Sequence, residues 1–269
     1  MKKFAVLGSP ISHSLSPLLH TTAYEALGFQ GTYEKIEIKA GGLKAFLETL
    51  DSSWHGLSLT MPLKEEVIAQ VSEISELALR VQSANTLFRK NHEWAATTTD
   101  VSGFAQSLNQ HGIQANGHVL IIGAGATARA AAAACDGTAS EITVLNRSTA
   151  RVPDMSRAVL RSTLNFIDWD SQQIFDHIDL VISTTPSGAS DVLVEQFPIT
   201  TKVAYFESLY NPWPTKALKE WEKRGGLAID GLDLLIYQGI EQIAIFTQLE
   251  FDKAEMYSLL RKVGIKALS

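Results

Sequence analysis

An apolar run of strand length, Val119-Leu120-Ile121-Ile122, meets two closely spaced glycines, Gly123 and Gly125, and an alanine-rich segment follows from Ala128 to Ala134. Alanine has the highest helix propensity, so the order is strand, tight turn, helix. This is the G-x-G-x-x-G/A pattern that opens a dinucleotide-binding βαβ unit. Gly123 permits the turn, Gly125 leaves room for backbone to approach a pyrophosphate, and Ala128 lets the helix lie close to the strand. Unpaired N–H groups at the helix start then hold phosphate. Spacing alone fits an ordinary glycine-rich βα turn as well.

The following strand separates the two readings. Glu141 to Leu145 runs into Asn146-Arg147-Ser148-Thr149-Ala150-Arg151. A site for NAD expects an acidic residue roughly 20 residues past the glycines, to bind the ribose 2′-hydroxyl. The chain has no acid there; it offers Asn146, Arg147 and, one turn on, Arg151. Two guanidiniums suit a 2′-phosphate through charge-assisted bonds worth roughly 1.5–3 kcal/mol each. The expected cofactor is therefore NADP.

The 269 residues are enough for one large or two ordinary domains. A net charge of −6 argues against nucleic acid or an anionic membrane as the main partner, while leaving room for a small anionic substrate. The single cysteine, Cys135, gives no disulfide framework and points to a reducing cytoplasm. The N-terminus enters a strand at Phe4 without a signal-peptide core, and no apolar run is long enough to span a bilayer. There is no HExxH, no CxxC pair and no Walker-type loop, so no metal site is expected.

Taken in order, residues 2–8 read as a strand, and the serine- and proline-rich loop from Ser9 leads to a helix with Ser16 as N-cap and Pro17 in its first turn. These serines either cap and turn the chain or present hydroxyls to a carboxylate. Thr32–Ile38 and Gly56–Pro62 read as strands, and Lys64 opens the next helix. A lysine at a helix N-terminus opposes the helix dipole, so Lys64 is either solvated or held for another purpose. Ser83–Arg89 and Trp94–Thr99 form a hairpin, Asp100 ends it, and a helix runs from Ser102 to about His111. Asp100 either caps that helix or partners Lys64, since both follow strands. Further strands are expected at 179–183, 202–206 and 227–229, with polar loops at Thr184-Thr185 and Glu207–Thr215. A core helix from Leu234 to Leu249 carries Gln238 and Gln242 one turn apart, each needing a side-chain or ligand partner. Asp252 and Glu255 resemble a capping box for a last helix.

Across nearly the whole length the chain resembles bacterial shikimate dehydrogenases. The resemblance rests on Ser12-His13-Ser14-Leu15-Ser16-Pro17 with His20, Ser58-Leu59-Thr60-Met61-Pro62-Leu63-Lys64, Asn85-Thr86-Leu87, Thr98-Thr99-Asp100 with Gly103, Asn146 to Arg151, Tyr210, and Gln238 after Gly231. It implies reversible NADPH-dependent reduction of 3-dehydroshikimate to shikimate, the step toward chorismate and the aromatic amino acids. It assigns Lys64 and Asp100 to acid–base work, Ser14, Ser16 and Tyr210 to the substrate carboxylate, and Thr60, Asn85 and Gln238 to ring hydroxyls and carbonyl. Its cofactor set is Gly123, Ala124, Gly125, Ala126, Thr127, Asn146, Arg147, Ser148, Arg151, Thr184, Ser208 and Gly231. A positioned lysine delivers the proton that a developing alkoxide needs, and a neighbouring carboxylate orients the ammonium.

The chain departs from the family pattern at Ser58, Thr98, Val101, Ala126-Thr127 and Glu207, which bears on substrate range. Quinate or an amino-shikimate is the alternative substrate, and a non-catalytic sensor of the same ligands is the alternative of another class. The expected fold is α/β with two domains: an N-terminal α/β substrate domain (1–100 plus 240–269) and a Rossmann-like doubly wound NADP domain (101–239), with the site in the cleft between them. The protein is expected to act on a small molecule as a monomer or homodimer in the cytoplasm.

Overall fold

Phe4-Ala5-Val6-Leu7 forms the centre of β1 (Lys2–Gly8), a strand buried along most of its length. The computed structural model describes residues 1–269. After β1 come α1 (Ser16–Ala26), β2 (Gly31–Glu37), α2 (Leu43–Glu48), β3 (Trp54–Leu59), α3 (Leu63–Glu66), β4 (Glu73–Ile74), α4 (Glu76–Val81), β5 (Thr86–Lys90) and β6 (Glu93–Thr97). The strands build a six-stranded sheet in the order β2-β1-β3-β5-β6-β4. Strands β1, β2 and β3 are parallel, and β5 is antiparallel to both of its neighbours. Alternation sorts the side chains: Ala5, Leu7, Leu57, Leu59 and Leu87 pack with Leu43, Leu63, Val67 and Ala78 of the short helices on one face. On the other face Phe4 stacks on Phe246, 5.1 Å between ring centroids, and meets Tyr24 edge-on.

The next stretch holds α5 (Asp100–Gln110), β7 (His118–Ile122), α6 (Ala126–Cys135), β8 (Glu141–Asn146), α7 (Val152–Ala158), β9 (Thr163–Asp168), β10 (Leu180–Ser183), β11 (Ala204–Glu207), α8 (Lys216–Lys223) and β12 (Leu227–Ile229). All six strands pair in parallel, in the order β12-β11-β10-β7-β8-β9. Counted from β7 this is 6-5-4-1-2-3, the doubly wound order of dinucleotide-binding folds. Both faces are covered, which explains the nearly continuous apolar strands. Val119 and Ile121 face Phe104 and the alanines of α6, while Leu120 and Ile122 face Leu218 and Trp221 of α8. Each buried Leu, Ile or Val contributes roughly 1.5–3 kcal/mol relative to exposure.

Helices α9 (Gly231–Thr247) and α10 (Lys253–Leu268) end the chain. Asp252 caps α10 by accepting from the N–H groups of Ala254 and Glu255, and α10 continues past Gly264. The chain divides into two units, Met1–Thr99 with Ile236–Ser269, and Asp100–Leu235. The second division falls within α9, which places Gln238 in the first unit rather than in the expected 101–239 range. Helix α5 begins at Asp100, two residues before the expected Ser102.

Candidate functional site

In the first unit, three strand ends meet at one edge of the sheet. The Thr60 N–H donates to the Leu7 carbonyl at 2.9 Å, the Leu59 N–H to the Asn85 carbonyl at 2.8 Å, and the Ala84 N–H to the Lys64 carbonyl at 2.8 Å. These bonds bring Thr60, Lys64 and Asn85 to the same edge. Gly8 is required there, since a Cβ on it would lie 2.3 Å from Thr60 Cγ2. Thr60 and Lys64 are half-buried.

Asn85 is buried and fully engaged. Its amide nitrogen donates to Thr99 Oγ1 at 2.9 Å and Gln238 Oε1 at 3.1 Å, and its amide oxygen accepts from the Thr99 N–H and the Thr86 hydroxyl, each at 2.8 Å. Partners on all sides fix one orientation of the side chain. The two glutamines of α9 divide the roles foreseen for them. Gln242 is buried and satisfied within the protein: its nitrogen donates to the Asn85 carbonyl and Thr86 Oγ1, and its oxygen accepts from Ser58 Oγ at 2.7 Å. Ser58 in turn accepts from the Tyr33 hydroxyl at 2.6 Å. Gln238 stays half-buried beside Asn85.

The serine loop differs from expectation in one respect. Leu15, not Ser16, occupies the N-cap of α1, with helical backbone angles of −86° and −6°. A turn closed by Ser14 N–H on the Ile11 carbonyl already winds the chain, so Ser16 falls inside the helix. The oxygen offered to the first turn is Ser14 Oγ, which accepts from the Ser16 N–H at 3.3 Å. Four residues on, His20 stacks on Tyr33 with centroids 3.9 Å apart. Burial holds its pKa down to about 3, so it is a neutral core residue.

In the second unit, the glycine loop lies at the point where strand order reverses, between β7 and β10. Gly123 has φ +108°, and its N–H donates to the Leu145 carbonyl at 2.9 Å. From the neighbouring strand, the Thr184 N–H and hydroxyl both donate to the Ile122 carbonyl at 2.9 Å. Gly125 is exposed at the N-cap of α6, no side chain caps that helix, and a Cβ there would meet nothing within 4 Å. Ala124, Ala126 and Thr127 are half-buried around it. This open, uncapped helix start fits a pyrophosphate.

At the end of β8, the buried Asn146 donates to the Ser148 carbonyl at 2.7 Å, and Ser148 Oγ accepts from the Ala150 N–H. That turn leaves Arg147 and Arg151 exposed. The residues present fit a dinucleotide bearing a 2′-phosphate. Ser208 donates through its N–H to the Ser183 carbonyl at 2.9 Å, and a Cβ on Gly231 would lie 2.4 Å from the Leu209 carbonyl carbon. Tyr210 is half-buried in the loop that follows β11, and Asp100 is buried in the first turn of α5.

Sequence reasoning missed three features of these sites. Strand β9, with Trp169 directly after it, was betrayed only by the alternation of Thr163 to Asp168. The chain from Tyr33 through Ser58 to Gln242 joins residues far apart in sequence and left no local signal. Glu207 accepts from the Leu209 N–H and the Thr215 hydroxyl, both at 3.2 Å, and so ties the start of the Tyr210 loop to the N-cap of α8. Burial pushes its pKa up to about 7.

Residues 6–87 match a family model described as shikimate dehydrogenase substrate binding domain, and residues 105–203 match one described as shikimate / quinate 5-dehydrogenase. A shikimate dehydrogenase (NADP(+)) of Staphylococcus epidermidis is 32% identical over 96% of this chain and 97% of that relative. The crystal structure of Mycobacterium tuberculosis shikimate dehydrogenase aligns with a TM-score of 0.84 at 32% identity, covering 97% of this chain and 99% of that one. The Thermus thermophilus shikimate 5-dehydrogenase, solved with NADP(H) and shikimate, aligns with a TM-score of 0.85 at 30% identity, covering 98% and 100%.

Proposed function

The chain belongs to the shikimate dehydrogenase family, and on that premise we propose that it catalyses the reversible NADPH-dependent reduction of 3-dehydroshikimate to shikimate. The observation that carries this reading is the edge of the first sheet, where Asn85, fixed by Thr99 and Gln238, shares one strand end with Thr60 and Lys64. A rigid set of amide, hydroxyl and ammonium groups suits a small polyhydroxylated ring.

In this reading Thr60, Gln238 and Asn85, whose N–H now bonded to Gln238 turns to the ring, hold the ring oxygens, and Ser14, Ser16 and Tyr210 hold the carboxylate. The glycine loop and Asn146, Arg147, Ser148 and Arg151 would hold NADPH, which when bound would supply the hydride. The Lys64 ammonium gives a proton to the oxygen that becomes the new hydroxyl, and Asp100 is the carboxylate assigned to the same acid–base work. Ser58, whose hydroxyl is engaged by Tyr33 and Gln242, supports the Asn85 strand through Gln242, which donates to the Asn85 carbonyl. The intact pair Lys64 and Asp100 favours an enzyme over a sensor. The reading includes a cytoplasmic location and a monomer or homodimer. No helix is long and apolar enough to cross a membrane.

The test is NADP reduction followed by absorbance, with shikimate and quinate offered separately, NAD run in parallel, and Lys64→Ala beside the wild type. The expected result is turnover of shikimate with NADP and a loss of kcat of at least about a hundredfold in the variant. Preference for quinate would move the substrate assignment, and full activity in Lys64→Ala would remove the proton donor.

A further inference from the structure

Arg147 and Trp169 are brought together by strand register. In the parallel pair β8 and β9, Asn146 lies opposite Asp168, the last residues of their strands. The next residue on each side is Arg147 and Trp169. The Arg147 guanidinium carbon lies 5.0 Å from the centroid of the Trp169 ring, within cation–π range. Trp169 is half-buried and packs against the apolar cluster that includes Leu145, Ile167 and Ile178. Arg147 is exposed. The tryptophan is the anchored member of the pair and the arginine the exposed one.

The chemistry of this contact differs from that of an ion pair. No carboxylate pairs with Arg147, although Asp168 and Asp170 flank Trp169 in the chain. A carboxylate partner would occupy the in-plane N–H donors and cancel the charge. An aromatic ring carries no net charge to cancel that of the guanidinium. It leaves the positive charge available to an anion, and it limits the rotamers that the long side chain explores. Restricting those rotamers before binding lowers the ordering cost of binding.

We propose that Trp169 is a positioning residue for cofactor specificity: its indole holds Arg147 oriented and unneutralised for the 2′-phosphate that distinguishes NADP from NAD. The inference rests on the reading of Arg147 as a 2′-phosphate ligand, and it adds a residue that lies outside the glycine loop and the Asn146–Arg151 turn. Trp169 touches neither the reacting atoms nor, by this account, the phosphate, and acts through Arg147 alone.

The experiment compares adenosine 2′,5′-bisphosphate with adenosine 5′-monophosphate by titration calorimetry on the full chain. The proteins are wild type, Trp169→Leu, Trp169→Phe, Arg147→Leu and the Trp169→Leu/Arg147→Leu double variant. Leucine keeps apolar packing without a π-face, and phenylalanine keeps a face. Trp169→Leu is expected to weaken bisphosphate binding about fivefold, to leave monophosphate binding unchanged, and to raise KM for NADP but not for NAD at constant kcat. Trp169→Phe should recover most of the loss. In the Arg147→Leu background the effect of Trp169→Leu should vanish. Equal losses for both nucleotides, or a Trp169→Leu effect that persists without Arg147, would show packing alone and overturn the proposal. A wild type that binds the two nucleotides equally would overturn the 2′-phosphate reading itself.

Discussion

Replacing Glu207 by glutamine should make the protein more stable at alkaline pH, although it removes hydrogen-bond capacity. Glu207 is 1% exposed, at the end of β11, and its oxygens accept from the Leu209 N–H and the Thr215 hydroxyl. Burial outweighs those bonds and lifts its pKa from 4.5 to about 7. That difference amounts to about 3 kcal/mol disfavouring the ionised form in the fold. The unfolded chain loses this proton near pH 4.5, and the folded protein keeps it until about pH 7. Stability therefore falls as pH rises between those values, and the loss is complete above about 7. Glutamine has no such slope. Its oxygen still accepts from one donor, so the substitution costs about 1 kcal/mol in hydrogen bonding at every pH. The net expectation is a variant less stable by up to about 1 kcal/mol at pH 4.5 and more stable by about 2 kcal/mol at pH 8. Thermal unfolding of both proteins from pH 4.5 to 8 reads this out. At about 2–4 °C per kcal/mol, the variant should melt roughly 4–8 °C higher at pH 8. A difference in Tm that stays constant across the range would refute the argument, because it would mean that Glu207 ionises in the fold as it does in the unfolded chain.

Asn85→Ala should remove both support and recognition at the first site. It leaves the Thr99 N–H and the Thr86 hydroxyl without their buried acceptor, at about 1–3 kcal/mol for each unsatisfied group, and the KM for shikimate should rise with the fall in Tm. An unchanged KM would take Asn85 out of the substrate site. Gly123→Ala should destabilise the second unit by about 1–3 kcal/mol, since alanine at φ +108° is strained and its Cβ would lie 2.7 Å from Thr184 Oγ1. Urea unfolding measures the loss, and calorimetry with NADP should show weaker binding; wild-type stability would show that the turn relaxes without cost.

The doubly wound unit was legible because its signals are local. Val119–Ile122, Gly123, Gly125 and the alanines of α6 specify strand, turn and helix within a few residues, and the missing acid near Arg147 and Arg151 specifies the cofactor by its absence. The N-cap assignment of Ser16 failed because composition does not reveal that the turn from Ile11 to Ser14 has already set helical angles at Leu15. Strand β9 was overlooked because an edge strand pairs on one side only, and half of its residues face solvent. The rest belonged to the tertiary structure. Asn85 and Gln238 are 153 residues apart, and Ser58 and Gln242 are 184 apart. No spacing rule connects such residues, because their contact depends on α9 returning to a sheet built from the first hundred residues. The same holds for Arg147 on Trp169, which the register of two strands decides, and for Glu207, whose shifted proton follows from burial. The sequence by itself determined which chemical groups the chain carries and which short elements hold them. Only the packing of distant elements decided which groups share a neighbour, because dielectric, register and hydrogen-bond partners are properties of the assembled fold.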